Sequence, residues 1–260
     1  MNTKHLAVAA AVVLAAGSSF ASVTTTNKIC RIKVTSAETN TIVALPLVNI
    51  GVPYQTTLNA TNYVQTVGLD TGTILYQNTT NENGVFVQNG WYLLNGTWVA
   101  PSQSSGGITT PALETAEYER GPANVLRLFR PDPGTAGAPR SFYLVGQVPP
   151  SGSTVTFSPA SKYQTLVGNP MPSELDITSI GFTEGKGPSD GDYIVVPSRG
   201  ETHYTWHEGN WCTYVRQRNG RTITYVWTPV AANAVTVAPG SGFWYYSSGD
   251  AAPELTFTMP

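Results

Sequence analysis

Beyond residue 28 the chain alternates short runs of β-branched and aromatic residues with clusters of Gly, Pro, Asn and Asp. Such runs suit a pleated, half-buried surface, and the Gly and Pro between them punctuate strands rather than extend helices. The pattern predicts strands at 29–35, 41–48, 73–77, 85–94, 125–130 and 142–148. It continues with 154–158, 164–168, 193–197, 203–206, 213–217, 222–227, 234–237, 243–247 and 255–259. Asn95-Gly96 and Asn219-Gly220 predict two-residue hairpin turns of type I′, which need positive φ at both central positions. Helical signal is confined to 111–120, where Pro111 precedes Glu114, Glu117 and Glu119.

The sharpest local feature is Pro239-Gly240-Ser241-Gly242 running into Phe243-Trp244-Tyr245-Tyr246, a tight turn feeding an aromatic strand. Alternation puts Phe243 and Tyr245 on one side and Trp244 and Tyr246 on the other, and the expected role of the strand is core. The order of parts recurs along the chain. Thr41–Leu47 answers Thr165–Met171, Thr71–Tyr76 answers Asp190–Val195, and the Trp91–Trp98 region with Asn95-Gly96 answers Gly209-Asn210-Trp211. The expected fold is therefore all-β, two similar antiparallel modules in tandem, as paired sandwiches or one distorted barrel. The boundaries expected are 22–150 and 151–260, with a polar, Gly-rich loop inserted in the first module near 102–119.

Residues 1–21 carry Lys4 and His5, an apolar run, and small residues Ser19 and Ala21, the layout of a signal peptide cleaved after Ala21. Export to the extracellular space, the cell surface or the periplasm follows. No later segment approaches the ~20 apolar residues of a transmembrane helix. Charged residues make up 12% of the chain, about half the usual share, with a net charge of −2. That gives no electrostatic footprint for nucleic acid.

The repeated order, with its best matches at Thr41–Leu47, Gly191–Val195, Gly209–Trp211 and Pro239–Trp244, resembles a largely uncharacterised family of secreted, β-rich bacterial proteins marked by Pro-Gly-x-Gly-Phe-Trp. The first copy departs from the pattern, offering Gly121-Pro122-Ala123-Asn124-Val125-Leu126. The resemblance implies an exported β fold and carries over no catalytic residue.

Candidate chemistry is sparse. Cys30 and Cys212 would meet an oxidising compartment, and two readings stand, a disulfide between them or two separate buried thiols. Neither a Cys-x-x-Cys nor a ligand-spaced Cys/His cluster is present, so no metal or other cofactor is expected. His203 and His207 would lie ~13 Å apart along a strand, which fits a solvated face better than a shared ion. Asp190-Gly191-Asp192 reads as a turn. No Gly-x-Ser-x-Gly elbow occurs, and no carboxylate pair can be assigned across a cleft, so no catalytic residue is expected. Three function classes remain. The first is a structural or assembly protein of the cell surface or extracellular matrix, packing against copies of itself. The second is a module binding extracellular glycans, with Trp91, Trp98 and Trp211 near hairpin turns, and Tyr214 beyond them, offering exposed rings. A secreted hydrolase ranks third. Trp227 and Trp244, within strands, are expected in the core.

Overall fold

The computed structural model describes residues 29–36, 40–44, 46–47, 57–59, 69–80, 86–99, 117–119, 124–127, 140–200 and 202–260. The expected signal peptide, and residues 102–116 of the expected insertion, lie outside the described residues. Among the described residues the protein is nearly all β, with antiparallel sheets, no closed barrel and no α-helix. None of its described helical turns is long and apolar enough to cross a membrane.

Among the described residues the first half forms three sheets, with strands numbered in chain order. β1 (Ile29–Ser36) pairs along its length with β9 (Arg140–Gln147). A five-stranded sheet runs β2 (Asn40–Val43), β8 (Asn124–Arg127), β4 (Ile74–Thr80), β5 (Phe86–Leu94), β6 (Thr97–Val99). A short ladder joins β3 (Thr57–Asn59) to β7 (Glu117–Glu119). In the second half, β20 (Leu255–Thr258) lies between β10 (Thr154–Phe157) and β13 (Gly181–Phe182). A six-stranded sheet runs β11 (Gln164–Gly168), β19 (Gly242–Tyr246), β14 (Tyr193–Val195), β15 (His203–His207), β16 (Asn210–Asn219), β17 (Thr222–Pro229). β12 (Leu175–Asp176) pairs with β18 (Thr236–Val237).

The two large sheets share an order: β2, β8, β4, β5 and β6 are followed in space by the same sequence of neighbours as β11, β19, β14, β15 and β16. Local hydrogen bonds repeat with it. Gly72 N–H donates to the Leu93 carbonyl at 2.8 Å, and Gly191 N–H to the Trp206 carbonyl at 3.0 Å. Asn95 N–H donates to Thr71 Oγ1 at 3.3 Å, and Glu208 N–H to Asp190 Oδ1 at 3.2 Å. Asn95 and Gly96 take φ of 50° and 79°, Glu208 and Gly209 of 48° and 82°, the double positive φ of a type I′ turn.

Each half buries the facing sides of its ladders. In the first, Val43, Leu75, Leu93, Trp98 and Leu126 from the sheet meet Phe142 and Leu144 from β9. In the second, Val167, Ile194, Tyr204, Trp211, Phe243 and Tyr245 meet Val155, Leu255, Phe257 and Met259. Sheets that hide one face each in this way make a sandwich.

Two expectations change. The candidate helix at 111–120 is not helical where it is described, because Glu117–Glu119 finds a ladder partner in β3; the rest of it lies outside the described residues. At the β16–β17 hairpin, Asn219 pairs with Thr222, so the loop is Gly220-Arg221. Only Gly220 of those two has positive φ, 59°, the type II′ pattern, with the glycine first. Five observed strands, β3, β6, β7, β12 and β13, are not among the expected ones; each has only two or three residues, as do β14 and β18, which lie inside longer expected runs.

The Pro239-Gly240 turn meets the other half. The Gly240 carbonyl accepts from Ala44 N–H at 3.0 Å, beyond the end of β2. A Cβ on Gly240 would stand 2.6 Å from Leu144 Cδ1 and 3.4 Å from Val34 Cγ2, at φ of +74°. Gly240→Ala therefore combines left-handed strain with overpacking, and we expect a loss of about 2–4 kcal/mol in urea unfolding. A change below 0.5 kcal/mol would mean that the turn is not seated against β1 and β9.

Candidate binding face

Strand parity builds the site. On β15 and β16, Tyr204, Trp206 and Trp211 point inward, and Trp206 meets Trp211 edge to face, with centroids 4.9 Å apart. Their alternates point outward. The outer side of β14, β15, β16, β17 and β19 then carries Trp244, Tyr246, Tyr193, His203, Thr205, His207, Tyr214, Tyr225 and Trp227.

Two stacks organise these rings. Tyr193 lies between His203, at 4.5 Å and nearly parallel, and Tyr246, at 4.8 Å. Trp227 stacks on His207 at 4.3 Å and leans against Tyr214 at 5.0 Å, while Tyr214 meets Tyr225 edge to face at 5.4 Å. Between the stacks opens a recess of about 300 Å³, lined by Gly191, Tyr193, His203, Thr205, Tyr214, Tyr225 and Trp227. Its walls offer apolar aromatic surface beside hydroxyls and imidazole nitrogens, a combination suited to apolar contact with a ligand and to hydrogen bonds that orient it.

The residues expected at the site divide. Tyr214 is 43% exposed and lines the recess. Trp98 and Trp211 are core residues at 1% and 3% exposure, which overturns their expected exposure. Closeness to a turn does not decide exposure; parity does, and the second residue after each turn glycine faces inward. Trp91 is half-buried against the first core. Trp227 and Trp244, expected in the core, are half-exposed on the outer face. The signal that could have found Trp227 is its alternation with Tyr225 on a strand paired to Tyr214.

Cys30 and Cys212 are both free thiols. The bridge considered from the sequence is not formed, because Cys30 lies on the β1–β9 ladder and Cys212 within the six-stranded sheet. Burial, then the Glu208 charge, raise the Cys212 thiol above its ordinary value. Among the described residues, no group of three His, Cys, Asp or Glu side chains is placed to hold a metal ion.

Asp190-Gly191-Asp192 forms the expected turn, and its second carboxylate anchors the face. Asp192 is wholly buried and accepts from the Tyr245 hydroxyl at 2.7 Å, from Ser248 N–H at 2.7 Å and from Ser248 Oγ at 2.7 Å. Three donors offset the desolvation that a buried carboxylate otherwise costs.

Compared with family models, with curated proteins and with solved structures, the chain matches none.

Burial, and then the bond to Asp192, push the Tyr245 phenol far above its ordinary value. An unfolded tyrosine loses its proton near pH 10, whereas Tyr245 keeps it. Above that pH the unfolded state binds fewer protons, so this residue's contribution to stability falls as pH rises. Tyr245→Phe should therefore lose less urea stability than the wild type between about pH 9 and 11. Equal losses would show that the hydroxyl titrates as it does in water.

Proposed function

We propose that the chain is an exported, non-catalytic protein built by duplication of one β unit, and that it binds carbohydrate at the cell surface or in the extracellular or periplasmic space through the outer face of its second unit. The observation that carries this reading is the aromatic face around the recess. The recess is at the small end of ligand sites, ~300–1,000 Å³, and it is open, so it suits a few residues of a long polymer rather than an enclosed small molecule. Low charge agrees with a neutral, hydroxyl-rich ligand.

Duplication is supported by the shared strand order and the matched turns, and by a second core drawn entirely from residues beyond 150. Residues 151–260 alone should fold cooperatively, with a β-type circular dichroism spectrum and one sigmoidal urea transition. A fragment without cooperative unfolding would show that the unit depends on the first half.

Retention of the exported chain by a panel of insoluble and immobilised polysaccharides tests the binding. At least one glycan should retain it, and Tyr214→Ala should weaken retention about tenfold, or about 1.4 kcal/mol. Tyr163→Ala, exposed but outside the recess, should bind as the wild type does. Absence of retention on every glycan, or normal binding by Tyr214→Ala, would refute the reading.

A further inference from the structure

β16 and β17 run on past the sandwich as a two-stranded ribbon. Burial along β16 stops at Cys212, and every residue from Tyr214 to Val226 is exposed. Seven large apolar side chains are exposed among the described residues, and five of them, Tyr214, Val215, Ile223, Tyr225 and Val226, lie on this ribbon. β17 is the last strand of its sheet, so its outer edge has no partner among the described residues.

That edge lacks the usual guards. Thr222–Pro229 contains no charged residue, and its one proline stands at the base. Natural edge strands are commonly protected by lysine, by proline or by a bulge. The direction of the free groups follows from the turn. A two-residue loop is closed by a hydrogen-bonded pair, here Asn219 and Thr222, and pairs alternate from there. The backbone N–H and C=O of Ile223, Tyr225 and Trp227 therefore point away from β16.

The sequence of the edge says what fits it. Thr222-Ile223-Thr224-Tyr225-Val226-Trp227-Thr228 is close to a palindrome in side-chain character about Tyr225. Laid antiparallel on a second copy with Tyr225 on the dyad, Ile223 faces Trp227, Thr224 faces Val226 and Thr222 faces Thr228. Aromatic and aliphatic groups meet on one side and β-branched groups on the other, the cross-strand pairings that stabilise sheets. Arg221 falls opposite Pro229, and Arg216 and Arg218 lie one strand inward, so no like charges oppose one another.

We propose that two copies of this chain associate by antiparallel pairing of β17 with β17, making one continuous sheet across a two-fold axis. The contact is isologous and therefore closed, which gives a dimer and not a fibre. It also sets the two aromatic recesses on one side of that sheet, so a long polymer could be gripped at two points. This inference goes beyond carbohydrate binding and does not require it.

Sedimentation of the exported chain tests the pairing. A single strand-to-strand contact is small, so dimerisation with Kd on the order of 1–100 μM is expected. Thr224 and Val226 point to the side opposite the recess, and they face each other across the dyad. The double variants T224E/V226E and T224K/V226K should each sediment as monomers, because like charges directly opposite destabilise a sheet pair. An equimolar mixture of the two should recover the dimer, which a misfolded variant could not do. A wild type that is monomeric at ~100 μM, a T224E/V226E protein as dimeric as the wild type, or a mixture that stays monomeric would each overturn the proposal. Polysaccharide retention of the same variants reads the recess separately, since their substitutions leave its lining intact.

Discussion

The hydrogen bond from the Tyr245 hydroxyl to the buried Asp192 carboxylate ties the inward face of β19 to the start of β14. A strand of four successive aromatics has no strong polarity of its own, since either face could be core. A slip of one residue would exchange Phe243 and Tyr245 for Trp244 and Tyr246. Inside, Asp192 needs donors, and Tyr245 is the inward residue of β19 that can supply one. With that bond made, Trp244 and Tyr246 must look outward. Tyr246 then stacks on Tyr193, which stacks on His203, and one wall of the recess is in place.

The same constraint explains how the two large sheets differ. Thr73 occupies in the first the place that Asp192 occupies in the second, and both are fully buried. Leu126, opposite Leu75, stands where Tyr245 stands opposite Ile194. An aspartate at position 73 would have faced leucine, with a carboxylate's desolvation unopposed from that side. Asp192 and Tyr245 thus work as a pair, and the half that has them also carries the aromatic outer face.

Much of the fold was legible because strands with one buried side write period two into the sequence. All fifteen expected strands overlap observed ones, Gln164–Gly168 matching at both ends, while 41–48 shortens to Asn40–Val43 and 234–237 to Thr236–Val237 among the described residues. The candidate site was legible only in part. The turns before Trp98 and Trp211 suggest exposure, but a tight hairpin passes directly into paired strand, where the alternate residue already belongs to the core. The place of Trp227 within a strand suggests core, yet that strand runs beyond the sandwich and nothing local reports where the opposing sheet ends. Burial of this kind is set by the length of neighbouring elements, which no window on β17 contains. Asp192 read as a turn residue, and it is one; its second role depends on a hydroxyl more than fifty positions away.

A two-stranded ribbon standing free in water is marginal. At its tip, the β16–β17 ribbon has the Gly220-Arg221 turn and a bond of 3.0 Å from Arg218 Nε to the Gly220 carbonyl. At its base, His207 lies on Trp227, and Trp227 leans on Tyr214, which meets Tyr225. The rings that shape the recess are thus the rings that hold the ribbon to the sheet. On the proposed readings, a ligand filling the recess would tighten the base of the ribbon, and a second copy paired along β17 would fix Tyr225 and Trp227 at the recess wall. Stability of the ribbon and occupancy of the face would in this way be linked, because the same rings serve both.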